Sequence, residues 1–281
     1  MLSYRHGYHA GNHADVLKHA VYAFCLAYLT KKPKPLLLLD THAGGGLYDL
    51  ESAEARKTGE ADAGVRRIVG RPDPPDLIAP YLALLESLNP DGLLSTYPGS
   101  PAIALAGTRA EDRVALYELH GTENSVLEQF VGARRNTSIV KGDGLEGLLA
   151  LTPPRERRML ALIDPSYEIK TEYETVVQAV AKAWSKFPTG TYVLWRPVIE
   201  RARVDAMAER LRRSGVKSVY DIELCMAPDA AGRGMTGSGL YVVNPPYTLP
   251  EAIDRAMRWL ADALDAGGPT YAGWLVPPDR P

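Results

Sequence analysis

Cysteine is almost missing from this 281-residue chain: Cys25 and Cys225 form no C-x-x-C pair. A disulfide framework is therefore excluded, and free thiols in a cytoplasmic protein are expected. Net charge is small, −2, so bulk electrostatics do not announce a nucleic-acid binder. No apolar run approaches the roughly 20 residues of a bilayer span, and no charged-then-apolar leader precedes the first helical pattern, so no membrane partner is expected. The glycine loop that follows the apolar run Leu36–Asp40 lacks the pattern G-x-G-x-x-G, which argues against a nicotinamide enzyme. G-x-x-x-x-G-K-[ST] is absent too, which argues against a phosphate-gripping P-loop. No internal repeat or low-complexity tract interrupts the chain.

What remains is an ordinary globular composition, 46% apolar and 23% charged, long enough for one large α/β domain with an insertion. Strand-like runs occur at Leu36–Asp40, Arg113–Glu118, Ser138–Lys141, Met159–Asp164, Thr191–Trp195, Lys217–Cys225 and Leu240–Asn244. Helical patterns fall between them, near 100–107, 122–132, 171–186, 199–214 and 250–265, and Asn12 can cap a first helix running to about Leu29. The alternation predicts a doubly wound, mostly parallel sheet. Residues 47–96 break it, with helical patterns at Glu60–Val69 and Leu77–Leu88. They are read as a small helical insertion in a core formed by 1–46 and 97–281, since structureless loops of that length are rare.

The chemistry gathers at predicted strand ends. Leu36-Leu37-Leu38-Leu39-Asp40 opens into Thr41-His42-Ala43-Gly44-Gly45-Gly46, where glycines let backbone approach a ligand closely. Glu118, Asp143 and Asp164 close the next three runs. Any one of these acids alone reads as a solvated strand terminus. Four in register behind a glycine loop imply a nucleoside-containing ligand in the crevice beyond the sheet. Glu118 is placed to accept ribose hydroxyls, and Asp143, in Gly142-Asp143-Gly144, to accept an adenine amino group.

Asp164-Pro165-Ser166-Tyr167 narrows the ligand to S-adenosylmethionine. An adenine N6 amine is a poor nucleophile because its lone pair is conjugated into the ring. The Asp164 carboxylate and the Pro165 carbonyl can accept its two hydrogens and steer the lone pair toward a methyl donor. Tyr167 can stack on the base, and Asp164 can take the released proton. Asn244-Pro245-Pro246-Tyr247 is a competing copy. Strand counting places Asp164 beside the cofactor strand, and Asn244 at the end of a last, antiparallel strand near the sheet's edge.

The N-terminus is dense in histidine and tyrosine. A metal site at His6, His9, His13 and His19 is disfavoured, because methyl transfer needs no metal and no cysteine lies nearby. Ser3-Tyr4-Arg5-His6, Ala10-Gly11-Asn12-His13-Ala14-Asp15-Val16-Leu17-Lys18-His19, Asp40-Thr41-His42-Ala43-Gly44, Tyr97-Pro98-Gly99-Ser100-Pro101 and Asp164-Pro165-Ser166-Tyr167-Glu168 together resemble the RlmJ family, the bacterial 23S rRNA adenine-N6 methyltransferases. The resemblance runs from the first residue to at least Tyr247. It implies a class I Rossmann-like methyltransferase using S-adenosylmethionine, with S-adenosylhomocysteine as product and no metal. It also implies cofactor contacts at His19, His42, Gly44, Ser100, Glu118, Asp143, Gly144 and Asp164. Tyr4, His6 and Lys18 would then lie near the target adenine or the methyl donor, with Asp164 as proton acceptor. Where the family has Asp-Pro-Pro-Tyr, this chain has Ser166. Pro165, whose carbonyl matters, is intact, so activity is expected to survive.

Residues 1–46 carry a net +3, leaving −5 for the rest, so a basic N-terminal face and an ordinary solvated helix surface both stay open. Arg155, Arg157 and Arg158, and Arg201, Arg203, Arg210, Arg212, Arg213 and Lys217, read mainly as solvated faces. The expected partner is 23S rRNA, naked or in a large-subunit precursor, with no obligate protein partner. Two other readings remain: methylation of a DNA adenine or a protein glutamine, and a catalytically silent RNA-binding assembly factor.

Overall fold

A computed structural model describes residues 6–229 and 234–279. Asn12 caps α1 (His13–Thr30), its side chain accepting from the Asp15 amide at 2.9 Å. The chain continues through β1 (Leu37–Asp40), β2 (Leu47–Asp49), α2 (Ala53–Thr58), α3 (Glu60–Ala63), α4 (Ala79–Leu88), β3 (Thr96–Pro98) and α5 (Ser100–Gly107). Then come β4 (Arg113–Tyr117), α6 (Gly121–Val131), β5 (Thr137–Val140), α7 (Gly144–Ala150), β6 (Met159–Ile163) and α8 (Glu172–Lys186). Last are β7 (Thr191–Val198), α9 (Arg201–Arg213), β8 (Val219–Cys225), β9 (Gly237–Val243), α10 (Leu249–Leu264) and β10 (Thr270–Val276).

Among the described residues, eight strands form one sheet in the order β10-β8-β9-β7-β6-β1-β4-β5. From β7 to β5 every pairing is parallel, β9 runs antiparallel between β7 and β8, and β10 runs antiparallel on the outside of β8. This is the class I methyltransferase strand order with one added edge strand. Helices cover both faces, so β1 is buried at every position. Leu36 and Leu38 belong to the core cluster that holds residues of α1, α5 and α10, whereas Leu37 and Leu39 belong to the one that holds residues of α8 and α9. Cys25 and Cys225 are both free and buried. Among the described residues no helix is long and apolar enough to cross a membrane.

Three features depart from the sequence reading. β9 was expected near the sheet's edge but lies inside it. The edge is β10, whose half-exposed Tyr271 and Trp274 carry too weak an alternation to announce a strand. The 47–96 stretch is not purely helical, because β2 and β3 pair as an antiparallel ribbon that closes it. Its Val65, Ile68, Leu77, Ile78 and Tyr81 are fully buried in the same cluster as α1. Finally, α7 follows directly on Asp143, which accepts from the amides of Leu145 and Glu146 and so caps it.

Candidate active site

The carboxyl ends of β1, β4, β5, β6 and β7 and the N-terminal half of α1 enclose a cavity of about 710 Å³. Of the residues singled out in the sequence, His6, Lys18, His19, His42, Gly44, Ser100, Glu118, Asp143, Gly144, Asp164 and Pro165 all line it. Tyr4 lies outside the described residues. Tyr167 does not line the cavity. It is only 7% exposed, and its hydroxyl donates to the Trp195 carbonyl at 2.6 Å. The stacking face expected of Tyr167 is therefore turned into the core, because its backbone takes a left-handed conformation (φ 54°) that swings the ring against Tyr173.

Lys18 is the centre of the charge arrangement. Its ammonium is 2.9 Å from Asp15 and 2.5 Å from Asp164 Oδ2, almost wholly out of water. Burial opposes the charge, but the two carboxylates outweigh it and raise the lysine above its ordinary range. Asp15 also accepts from the Gly11 amide at 2.9 Å and sits 2.9 Å from His6 Nε2. Burial would push Asp15 up, yet these partners hold it well below the usual carboxylate range. The sequence reading assigned Asp15 no role of its own. The spacing Asp15-x-x-Lys18-His19, which stacks three ionisable groups on one helical face, was the available signal.

His19 is buried, with Nδ1 2.7 Å from the Tyr97 hydroxyl, which itself accepts from Tyr81 at 2.9 Å. That chain assigns the neutral tautomer with its proton on Nε2. Burial lowers its pKa to about 3. Burial likewise lowers His42 to about 4 and lifts Asp40, at the end of β1, to about 7. Of the other N-terminal histidines, His6 pairs with Asp15 and His9 with Glu60 at 2.8 Å, while His13 Nε2 is buried with no hydrogen-bond partner among the described residues.

The loop after β1 is built for close approach. Gly44 (φ 62°) donates to Glu118 Oε2 at 2.7 Å, and Glu118 Oε1 accepts from the His120 amide at 2.7 Å. Burial raises the Glu118 carboxyl. A Cβ at Gly144 would lie 1.9 Å from the Thr41 carbonyl, so only glycine lets the β1 and β5 turns meet. His120 Nδ1 is buried at the cavity wall and has no hydrogen-bond partner among the described residues. A glycine cradle, an orphaned imidazole nitrogen and acids at the β4 and β5 ends fit a nucleoside-bearing cofactor.

The competing Asn244 ends β9, whose antiparallel direction puts it at the opposite end of the sheet from the cavity. Its amide donates to the carbonyls of Pro188 and Gly190 at 2.6 and 2.8 Å, a structural role. The basic residues weighed for RNA binding are mostly engaged. Arg155 pairs with Glu156, Arg201 with Glu223 and Asp229, Arg213 with Glu209 and Lys217 with Asp279. Arg158 donates to main-chain carbonyls of Leu29 and Lys34. The N-terminal positive excess does not form one face. Lys18 is buried at the cavity, while Lys31, Lys32 and Lys34 are exposed beyond the far end of α1.

Residues 33–276 match the family described as "Ribosomal RNA large subunit methyltransferase D, RlmJ". The chain is 42% identical over 279 residues to Ribosomal RNA large subunit methyltransferase J of Escherichia coli (strain K12), covering 99% of this chain and 100% of that one. To the protein of the same name from Haemophilus influenzae it is 40% identical over 280 residues, with the same coverage. A crystal structure of a Legionella pneumophila protein superposes with a TM-score of 0.87 at 38% identity, covering 94% of this chain and 97% of the other.

Proposed function

The chain belongs to the RlmJ family of ribosomal RNA large-subunit methyltransferases, and from that membership we propose that it moves a methyl group from S-adenosylmethionine to the exocyclic N6 amine of one adenine in 23S rRNA. The observation that carries this reading is the Lys18–Asp164 contact at the turn following β6. Lys18 holds one carboxylate oxygen and leaves the other, beside the Pro165 carbonyl, for the two hydrogens of an incoming amine. Accepting both hydrogens out of conjugation frees the nitrogen lone pair. An alkylated, protonated N6 is a far stronger acid than a carboxylic acid, so even a carboxylate tied to lysine can take the proton.

S-adenosylmethionine, when bound, supplies an electrophilic methyl on a sulfonium, a transfer that calls for no metal. Glu118 would hold the ribose, Asp143 the adenine amino group, and Gly44 and Gly144 would let the main chain close over the nucleoside. The Nε2–H of His19, together with Ser100 and His42, lines the remainder of the site. His6 is tied through Asp15 to the same charge cluster, which holds His6 at the cavity wall. An adenine inside a helix would have to be extruded, at a cost of a few kcal/mol.

The test is methyl incorporation with 23S rRNA fragments, duplex DNA and ribosomal proteins offered in parallel, followed by mapping of the modified nucleotide. N6-methyladenine in the rRNA alone is expected. Preferential labelling of DNA or of a glutamine would overturn the substrate, and absence of cofactor binding by calorimetry would leave only an assembly factor.

A further inference from the structure

Tyr167 is sealed between Tyr173, at 4.4 Å between ring centroids, and Trp195, at 5.7 Å. A base brought to Asp164 cannot lie on it unless the turn refolds. An aromatic ring does face the cavity beside the Lys18–Asp164 pair, and it belongs to Trp195, near the end of β7. The indole is half-buried and its centroid is 5.6 Å from Lys18 Nζ. Pro165 and Pro197 line the same cavity.

Trp195 is fixed by its side chain and by its main chain. Its Nε1 donates across to Ser238 Oγ on β9 at 2.8 Å, and its carbonyl takes the Tyr167 hydroxyl. The next residue, Arg196, points to the other face of the sheet and anchors the strand there. It is 1% exposed, 2.9 Å from Asp221 and 2.8 Å from Glu223, with its guanidinium 4.3 Å from the centre of the Tyr241 ring. Gly239 lies opposite Arg196, and a Cβ there would sit 1.9 Å from Nη1, so this pairing position leaves room for the arginine only as glycine. A ring immobilised before binding loses little freedom when a base stacks on it, so most of the contact energy is available for binding.

We propose that Trp195 is the surface on which the target adenine stacks, with Tyr167 acting as the brace that fixes the indole. The proposal rests on the reading of an RNA adenine amine at Asp164. It assigns the base-binding face to a different strand from the one that carries the acid. The adenine would lie edge-on to Asp164 and Pro165 and flat against the indole.

The experiment compares wild type with Trp195→Ala, Trp195→Phe, Tyr167→Phe and Asp164→Asn. Steady-state methylation of an rRNA fragment is measured, with cofactor affinity by calorimetry and melting temperature alongside. Trp195→Ala should raise the KM for RNA by roughly 5- to 150-fold, the range for losing one base–aromatic stack, while cofactor affinity stays as in wild type. Trp195→Phe should recover most of the loss. Tyr167→Phe, which frees the carbonyl but keeps the ring, should fall between wild type and Trp195→Ala. A fragment carrying 2-aminopurine at the target position should be quenched by wild type, by Trp195→Phe and by the inactive Asp164→Asn, but not by Trp195→Ala. If Trp195→Ala methylates and quenches like wild type, or if it loses cofactor affinity as much as RNA affinity with no rescue by phenylalanine, the assignment falls while the functional reading stands. If wild type methylates no RNA at all, the functional reading fails, and this assignment with it.

Discussion

Lys18 and Asp164 are 146 positions apart in sequence and 2.5 Å apart in the fold. One stands in the second turn of α1 and the other just beyond β6, so the contact exists only because α1 packs on the sheet face above that strand. Lys18 is also held by Asp15, so two carboxylates share one buried ammonium. An ion pair this far from water is more informative about geometry than about stability, since desolvation offsets much of the attraction. Breaking it is another matter, because an uncompensated charge is left behind.

Asp164→Asn should therefore reduce methylation by about 10²- to 10⁴-fold, the usual weight of a positioned proton acceptor, with cofactor affinity retained by calorimetry. Lys18→Met should cost about 3–5 kcal/mol of stability in urea unfolding, since it strands Asp15 in the interior. An unchanged unfolding midpoint for Lys18→Met would show that the three charges are not coupled.

Two glycines flank Asp143 and should respond oppositely. Around Gly142 the nearest atom to an added Cβ is 3.7 Å away, whereas at Gly144 the Thr41 carbonyl is 1.9 Å away. Gly142→Ala is expected to melt and bind cofactor as wild type does. Gly144→Ala should lose about 1–3 kcal/mol or more from overpacking and lose cofactor binding with it. Equal behaviour of the two variants in melting experiments would refute the backbone contact between the turns.

His19 predicts a pH dependence. Burial lowers its pKa to about 3 from an ordinary 6.5. As pH falls below 6.5 the unfolded chain takes up a proton that the folded chain refuses, so this residue's contribution to stability is present above pH 6.5 and is lost on the way to about pH 3. The loss accrues at about 1.4 kcal/mol per pH unit. Asp40 acts in the opposite sense, since a folded pKa of about 7 against 3.8 makes the folded chain the better proton binder between those values. In stepped-pH urea titrations between pH 6 and 4, His19→Gln should flatten the stability slope by about 1.4 kcal/mol per unit. An identical slope would mean that the imidazole is protonated in the folded chain.

Asn244→Ala should leave methylation intact while losing about 0.5–1.5 kcal/mol, because the carbonyls of Pro188, exposed, and Gly190, partly buried, forfeit their donor. Loss of activity without loss of stability would put the second Asn-Pro-Pro-Tyr copy back in contention. Ser166→Pro, which restores the family's second proline, is expected to leave the rate close to that of wild type. A large increase would mark the natural turn as suboptimal.

Much of the architecture was legible because local rules express it directly. Leu36–Leu39 had to be a strand buried on both faces, Asn12 had to cap α1, and strand counting put Asp164 next to β1. The edge strand β10 and the β2–β3 ribbon escaped, since short or half-exposed strands carry little periodicity. The cavity-lining acids were legible as strand-end residues. The hub role of Asp15, the hydrogen-bond chain from Tyr81 through Tyr97 to His19, and the orientation of Trp195 were not.

By itself the order of residues determined which groups stand at the ends of strands, where glycine must replace a side chain, and which family's motifs the chain carries. Those features depend on neighbours in sequence, through strand periodicity and turn geometry. Only the tertiary structure decided which groups meet and which are turned away: Lys18 onto Asp164, His19 kept neutral, Tyr167 sealed behind Trp195. Pairing across the sheet and packing of α1 onto it join residues far apart in the chain. Whether a side chain ends in water or in the core is set by that packing, and no local pattern records it.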